Sequence, residues 1–527
     1  MEIEVKGHSG CSIDIRSQEH QIFVFKTTRD PKYLQRLACQ AKKQQDAVNM
    51  ENYHIRVPEI YDVLQTDTET TIKMQYIYSK NFMEFLEQAG FEQIDYFINA
   101  LKQFVEYEIK KSKMQLVPAS IFQSKFSEVK SKIKCNPLIK DDVELKHLLE
   151  QCQTVFGNMH DIEIPVGLCH GDLTFSNILF NGNNYYLIDF LDSFIETPLQ
   201  DIVKIRQDTL YRWSQQMYKK PFDAVRFKII CDKMDSEIDS YFYLKYEWYR
   251  QNYHIMQLMN ILRIFPYAND ITIVKYLTCI IKEILYGKKK DNISSYSTIT
   301  TNSDNFTLIV PIAAYKPEYE KRIPSVFRIS EDGTLLCVKS VLGIDLSAFN
   351  KIYFTILKKL DERYSLRARL LLQFKIHGLS NAEVVILDSP TSSQPETIYQ
   401  TINQKKITGS IFIKDADCYL EGDVVKQNSL AIYPLESLNW VNPQDKSYVT
   451  VDDMFYITNI IEKRIVSHYF TAGGYCFESV EQYNTYYEQL ANHKGLYLSH
   501  IVYAMLLNGY TFRPIKVNKY IDFQPQG

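Results

Sequence analysis

His170, Asp172, Asn177 and Asp189 have the residue types and spacing that transfer of a phosphoryl group requires. They lie in the stretch 167–193, GLCHGDLTFSNILFNGNNYYLIDFLDS, which contains H-G-D-x-x-x-x-N followed by I-D-F-x-D. Phosphoryl transfer needs little covalent help from a protein. It needs positioning, neutralised phosphate charge and an acceptor for the hydroxyl proton. Asp172 suits the role of proton acceptor, and Asn177, five residues on, can offer its amide oxygen to Mg²⁺. A Gly/Asn cluster at 181–184 favours a tight hairpin turn. The hairpin returns Asp189 to the side of Asn177, so that two hard oxygen ligands meet one cation. Asp192 is placed to hold the loop or reach a second ion.

Such a loop needs elements to hold it. Residues 21–27 (QIFVFKT) and 70–77 (TTIKMQYI) read as strands around a helical stretch at 33–48. From about Asn81 the pattern is mostly helical, interrupted by the motif region 164–190. A helical pattern at 271–286 ends in Gly287, a good C-cap residue. It is followed by a polar seam at 288–305, KKKDNISSYSTITTNSDN, read as a linker. Beyond the seam, β-branched runs at 308–313, 351–357, 383–387 and 410–414 alternate with helical patterns, which implies a parallel sheet with crossover helices. The expected organisation is a domain at 1–287, the linker, and a second domain at 306–527. A chain of 527 residues also points to two cores, because one core stops growing at roughly 250–300 residues.

The bulk composition is that of a globular protein, with 45% hydrophobic and 23% charged residues. The formal charge of −3 supplies no broad basic field, so no nucleic-acid partner or anionic membrane surface is expected. No run reaches about 18 apolar residues, so no membrane span is expected. The opening residues lack the apolar core of a signal peptide. The ten cysteines are scattered, without C-x-x-C pairs or metal-ligand spacing, as for reduced thiols in a cytoplasmic protein. The 38 tyrosines have no functional reading, and the oligomeric state is not written in the sequence.

The paired motifs around Asp172 and Asp189 resemble those of the aminoglycoside phosphotransferase and choline kinase family. That resemblance implies a protein-kinase-like α+β bilobal fold over the first half, using ATP or GTP with Mg²⁺. It makes Asp172 catalytic and Asn177 and Asp189 metal ligands. It also places Lys26 on the phosphates and Gly10, in HSGCS, in the turn above them. The segment 74–77 becomes the nucleotide hinge, with Gln75 and Ile77 at the base. The family's helix usually offers a glutamate to the lysine. Here that helix reads QAKKQQDAV, which leaves Gln44, Gln45 or Asp46 as substitute partners. Asp208 and Glu247, in the helical part that supplies acceptor contacts, read as solvated or capping residues rather than ligands.

The second half resembles the sugar-phosphate nucleotidyltransferases, which implies an α/β Rossmann-like, glycosyltransferase-A-like domain acting on CTP, UTP or GTP. The segment 308–315, LIVPIAAY, stands where that family has its first strand and phosphate loop, with Ala313 and Lys316 at the nucleotide. The segment 388–398 resembles the one that closes over the nucleotide, with Gln394 as a contact. IFIKDAD at 411–417 ends a buried strand in two carboxylates, where an open parallel sheet presents ligands. The resemblance makes Asp417 a metal ligand, with Asp522 in Y-I-D as the second. Lys463 in IIEK and the segment 473–477 (GGYCF) resemble its E-K and G-x-Y-x-F segments, with Lys463 in the catalytic set. The family's first loop is glycine-rich, letting backbone N–H groups wrap phosphates. Here 313–318 read AAYKPE, with no glycine until Gly333.

Taken together, the two resemblances imply a bifunctional enzyme. It would phosphorylate a small alcohol, amino alcohol or sugar and couple the product to an NTP, giving an activated precursor for bacterial capsule or lipopolysaccharide synthesis. The alternative is a small-molecule kinase whose second half binds a nucleotide or nucleotide-sugar without catalysis.

Overall fold

A computed structural model describes residues 11–18, 20–48, 54–287, 304–438 and 442–523. Gly10 and most of the seam at 288–305 lie outside them. The chain divides into two compact units. The first is Met1–Leu86, Gln93–Phe222 and Ile230–Ser295, and the second is Glu87–Glu92, Asp223–Ile229 and Tyr296–Gly527.

The first unit begins with a four-stranded antiparallel sheet. Its strands are β1 (Ser12–Gln18), β2 (Gln21–Thr28), β3 (Ile60–Gln65) and β4 (Thr70–Gln75), in the order β1-β2-β4-β3. Helix α1 (Leu34–Val48) crosses between β2 and β3 and packs Leu37 and Ala41 against Ile72 and Met74. The rest of the unit is mainly helical. Its centre is α2 (Phe91–Lys111), which buries Ile94, Phe97, Ile98, Leu101, Phe104 and Val105. That three-and-four spacing keeps one stripe of the helix out of water, and each fully buried Phe contributes about 1.5–3 kcal/mol. The result is the expected α+β arrangement of a sheet lobe followed by a helical lobe.

The motif hairpin is pinned to this helical core by aromatic rings. Strands β5 (Ile178–Asn181) and β6 (Asn184–Leu187) turn at Gly182, whose φ of +57° suits glycine. Phe180 stacks on Phe85 at 4.4 Å, and Tyr185 meets Phe97 at 4.7 Å. Aromatic pairs at such distances contribute about 0.5–1.5 kcal/mol beyond burial. Many tyrosines serve cores in this way, including the fully buried Tyr185, Tyr249, Tyr448, Tyr483 and Tyr503. Two further helices carry site residues, α3 (Pro198–Thr209) and α4 (Glu247–Leu262). Helix α5 (Ile271–Tyr286) ends at Gly287 with φ +78°.

The second unit is built on one large sheet with helices between its first strands. Its strands are β7 (Phe306–Ile312), β8 (Lys351–Leu357), β9 (Ala382–Leu387), β10 (Ser410–Lys414), β12 (Ser429–Pro434), β13 (Ser447–Val451), β14 (Ile457–Glu462), β15 (Tyr469–Phe477) and β16 (Arg513–Lys516). The order is β9-β8-β7-β10-β15-β12-β16, with β13 paired to β14 and β15. The first four strands are mutually parallel, as the alternating pattern implied. The sheet as a whole is mixed, because β15 runs antiparallel to both β10 and β12. The parallel strand β7 is buried along nearly its whole length, which accounts for its continuous apolar run. Helix α6 (Gln394–Lys405) carries the chain from β9 to β10 on the other side of β7. A separate ribbon, β11 (Cys418–Glu421) with β17 (Lys519–Asp522), sets Asp522 opposite Cys418.

Candidate active sites

In the first unit, the loop 170–177 is tied down through its own backbone. Asp201, fully buried on α3, accepts hydrogen bonds from the His170 N–H and, at 2.8 Å, from the Gly171 N–H. The His170 N–H also donates to Glu108 Oε1 at 3.1 Å. Burial and the neighbouring charge of Asp201 push the Glu108 carboxyl well above its ordinary value. Asp208 accepts from the N–H groups of Phe175 and Ser214 at 2.6 and 2.7 Å, and burial pushes it up to about 6. Asp208 is therefore a buried anchor of the loop, not a solvated residue. Glu247 is exposed.

The partners of His170 fix its tautomer. Its Nε2 faces the carbonyl of Ile188, which can only accept, at 2.9 Å. Its Nδ1 receives the Asp172 N–H, which can only donate, at 3.2 Å. Burial lowers the imidazole's pKa, in keeping with this neutral form. Gly171 has φ +89°, and a Cβ there would sit 2.1 Å from the Leu191 carbonyl oxygen, so only glycine fits. With Leu191 N–H donating to the His170 carbonyl at 3.0 Å and Ile188 N–H to Asn177 at 3.0 Å, the loop and the segment 188–192 form one block.

This block brings Asp172, Asn177, Asp189 and Lys26 together. Asn177 Nδ2 donates to the Asp172 carbonyl at 2.8 Å and to its Oδ2 at 3.0 Å, leaving Asn177 Oδ1 without a hydrogen bond among the described residues. Asp189, held at φ +62°, binds the Lys26 ammonium through Oδ1 at 2.8 Å. Burial works against the charge of Lys26, yet Asp189 keeps its pKa raised. The remaining oxygens of Asn177 and Asp189 are a hard donor pair suited to Mg²⁺, which commonly takes one or two protein ligands plus phosphates and water. The described residues contain no group of three or more His, Cys, Asp or Glu able to hold a metal.

The expected partners of Lys26 on α1 are not used. Gln44 is buried and donates to the Pro58 carbonyl, while Gln45 and Asp46 are exposed. The helix instead contributes Lys43, which reaches Glu196 at 2.6 Å and the Leu191 carbonyl at 2.7 Å, clamping the segment that follows Asp189. Gln75 lies in β4, its N–H donating to Glu59, and Ile77 is buried just beyond it. Asp192 is exposed. No motif marks Lys204 of α3, whose ammonium lies 2.9 Å from Asp172 Oδ1. Burial alone would raise the Asp172 pKa, but Lys204, with help from His170 and Asn177, holds it below the ordinary value. Nothing in local spacing announces a lysine 32 positions away.

In the second unit, a cleft of about 410 Å³ opens at the carboxyl ends of β7 and β10. The strand order reverses there, since β8 and β9 lie on one side of β7 and β10 on the other, and such points are where open α/β sheets bind ligands. Gln394, Asp417 and Lys463 line the cleft, together with Asp415, Lys446, Glu462 and Tyr475. Gln394 Nε2 donates to Asp415 Oδ1 at 2.5 Å. Burial, then the charge of Asp417, pushes the Asp415 carboxyl up to about 6. The turn carrying both acids is anchored by Lys414, fully buried, which donates to the carbonyls of Asp415 and Cys418 at 2.7 and 2.8 Å. Gly473, at φ +76°, lets β15 pass close by: a Cβ would come within 2.9 Å of Asp415 Oδ2.

Other expected residues sit at the margin. Ala313 is buried and Lys316 exposed, and neither lines the cleft, although Ile312 and Ala314 do. Lys463, at φ +59°, reaches the Tyr497 hydroxyl at 2.7 Å. Asp522 Oδ2 is held by Lys446 at 2.6 Å, and Lys446 also reaches the Tyr520 hydroxyl at 2.5 Å. Asp522 thus stands behind a lysine rather than on the cleft wall. Of this set, Asp415 is legible in the D-x-D at the strand end, whereas Lys446 has no motif to mark it.

Residues 134–227 match the model of the phosphotransferase enzyme family. The match contains Asp172, Asn177, Asp189, Asp201 and Lys204. In structure, the chain is similar to a thermostable mutant of aminoglycoside phosphotransferase APH(4)-Ia, at 8% identity over 54% of this chain and 93% of that one, with a TM-score of 0.37. It is also similar to a nucleoside-diphosphate-sugar pyrophosphorylase from Vibrio cholerae, at 15% identity over 41% and 94% of the two chains, TM-score 0.35. A third is the inositol-1-phosphate CTP transferase of T. maritima, at 14% identity over 41% and 88%, TM-score 0.34. No curated protein matches the chain. No helix among the described residues is long and apolar enough to cross a membrane.

Proposed function

We propose that this chain is a bifunctional cytoplasmic enzyme. Its first unit phosphorylates a small hydroxylated acceptor with ATP or GTP, and its second couples the phosphate product to CTP, UTP or GTP. The observation that carries the reading is the convergence of Asp172, Asn177, Asp189 and Lys26 on one rigid block. The acceptor hydroxyl gives its proton to Asp172 as its oxygen bonds to the γ-phosphorus. The bond from that phosphorus to the bridging oxygen breaks, and the nucleoside diphosphate leaves. Lys26 would hold phosphate oxygens, and Asn177 and Asp189 would hold Mg²⁺, which would supply charge neutralisation for the phosphates. In the second unit, Asp417 and Asp415 would hold Mg²⁺ against a triphosphate at the switch point. The activated product is of the kind consumed in capsule or lipopolysaccharide assembly.

The test is mass spectrometry of full-length chain with candidate alcohols, ATP and a second NTP. The reading expects a phosphorylated acceptor and then an NDP-linked product with pyrophosphate. Accumulation of the phosphorylated acceptor alone would remove the second activity and leave a kinase whose second unit only binds. One observation favours that second reading. The loop after β7 offers no glycine cradle, and Lys316 is exposed and outside the cleft lining.

A further inference from the structure

Three lysines stand around the cleft of the second unit, and their N–H groups are used differently. Lys414 is fully buried and directs its ammonium at the carbonyls of Asp415 and Cys418 and at Cys418 Sγ, at 2.7, 2.8 and 3.2 Å. An ammonium has three N–H groups, so Lys414 has none to spare. Lys446 and Lys463 are the two cations among the described residues that line the cleft. They lie side by side. Strands β13 and β14 pair Ser447 with Glu462, and just beyond that pair the Lys463 N–H donates to the Lys446 carbonyl at 2.8 Å. The Lys463 ammonium gives one N–H to the Tyr497 hydroxyl. The Lys446 ammonium gives one to Asp522 Oδ2 at 2.6 Å and one to the Tyr520 hydroxyl, and it lies 4.9 Å from the centre of the Tyr520 ring. Among the described residues this leaves two N–H groups of Lys463 and one of Lys446 without a partner. The Lys446 side chain is 12% exposed and borders the cleft, so a ligand held there can reach it.

The arrangement bears on two features of this half. The loop after β7 has no glycine cradle, and Lys316 lies outside the cleft lining, so phosphate charge has to be met from another wall. Asp522, the second metal ligand by resemblance, does not line the cleft. The ammonium on its Oδ2 stands on the oxygen that a metal would need, and it repels a second cation. Two adjacent ammoniums with unused donors suit the several oxygens of a phosphate dianion. We propose that Lys446 and Lys463 together bind a phosphate group in the second site, and that Asp522 is the fixed counter-ion of Lys446 rather than a metal ligand. The group is either the acceptor's phosphate monoester or a phosphate of the NTP. The inference rests on the nucleotidyltransferase reading above and deepens it.

The experiment titrates the full-length chain by calorimetry and counts bound Mn²⁺ by electron paramagnetic resonance. One arm uses Mn²⁺ with CTP, UTP or GTP, and the other uses glucose 1-phosphate, glycerol 3-phosphate and phosphoethanolamine. The first site is the same in every variant, so differences between variants report the second. Lys446→Met should weaken binding of a phosphate probe by at least about tenfold, the loss expected when a hydrogen bond to a charged group is removed. The arm in which the loss appears identifies the source of the phosphate. Lys446→Arg keeps the charge and should recover much of that loss. Asp522→Asn should retain every bound Mn²⁺ and hold the probe at least as tightly as the unmodified chain, whereas Asp417→Asn should lose one Mn²⁺. Unchanged affinity for every probe in a folded Lys446→Met chain overturns the inference, and so does loss of a Mn²⁺ in Asp522→Asn. Neither result touches the nucleotidyltransferase reading, which is decided by formation of the NDP-linked product. An unmodified chain that binds none of the probes removes that reading, and the inference falls with it. Should Lys446→Met not fold, the Mn²⁺ count and probe affinity of Asp522→Asn decide alone.

Discussion

In the proposed function, the loop that carries Asp172 and the loop that follows β7 share one task, meeting nucleotide phosphates, and they are built differently. In the first, buried Asp201 accepts from the N–H groups of His170 and Gly171, Asp208 accepts from that of Phe175, and Gly171 closes the loop against Leu191. Position is set by the main chain and charge is added by side chains. In the second, the main chain after β7 offers Ala313 and Ala314, and order comes from elsewhere, from buried Lys414 and the glycines of β15. The comparison shows why the first site is legible as a motif and the second only as scattered pieces. A loop organised by its own backbone needs fixed residues at fixed spacing, whereas a site organised by neighbouring strands does not.

The strongest way to break the contrast is at the first loop. Asp189→Ala should abolish Mg²⁺-dependent ATP turnover, and Asp172→Asn should lower the rate by about a hundredfold or more while nucleotide affinity is retained. Both are read by steady-state kinetics beside a nucleotide-binding titration. Normal rates in both variants would end the kinase assignment. Asp201→Ala tests the scaffold rather than the chemistry. It strands the Gly171 N–H, which costs about 1–3 kcal/mol when buried without a partner, and leaves the His170 N–H only Glu108; urea unfolding should show the loss.

Much of the fold is legible in the amino-acid pattern. The strand-rich start, the helical lobe and the alternation beyond the seam follow from periodicity alone. The mixed character of the second sheet does not, because an antiparallel β15 between β10 and β12 is decided by tertiary pairing and not by its own apolar pattern. Asp172, Asn177 and Asp189 are legible because one hairpin fixes their spacing. The partner of Lys26 is expected on α1 and proves to be Asp189, 163 positions away. Lys204 lies on a helix whose sequence gives no hint that it turns toward Asp172.

The second site can be sharpened by smaller effects. Gly473→Ala places a Cβ against Asp415 in a left-handed conformation that costs non-glycine residues about 1–2 kcal/mol. It should destabilise the second unit, with thermal unfolding as the measure. Carbon-13 NMR of aspartate carboxyls should find Asp415 titrating at about 6, and Asp417→Asn should lower that midpoint by removing the neighbouring charge. The folded value lies above the unfolded one, so the contribution of Asp415 to stability is full below the unfolded pKa and is lost as pH rises through about 6. An unmoved midpoint in Asp417→Asn would mean that the two acids do not sense each other.

Gly171 has a mechanical consequence. Because its bare Cα lies against the Leu191 carbonyl, the chain at 170–172 cannot slide along the chain at 188–192. Any movement of this block therefore carries Asp172 and Asp189 as a single casting. Their separation is set once, at folding.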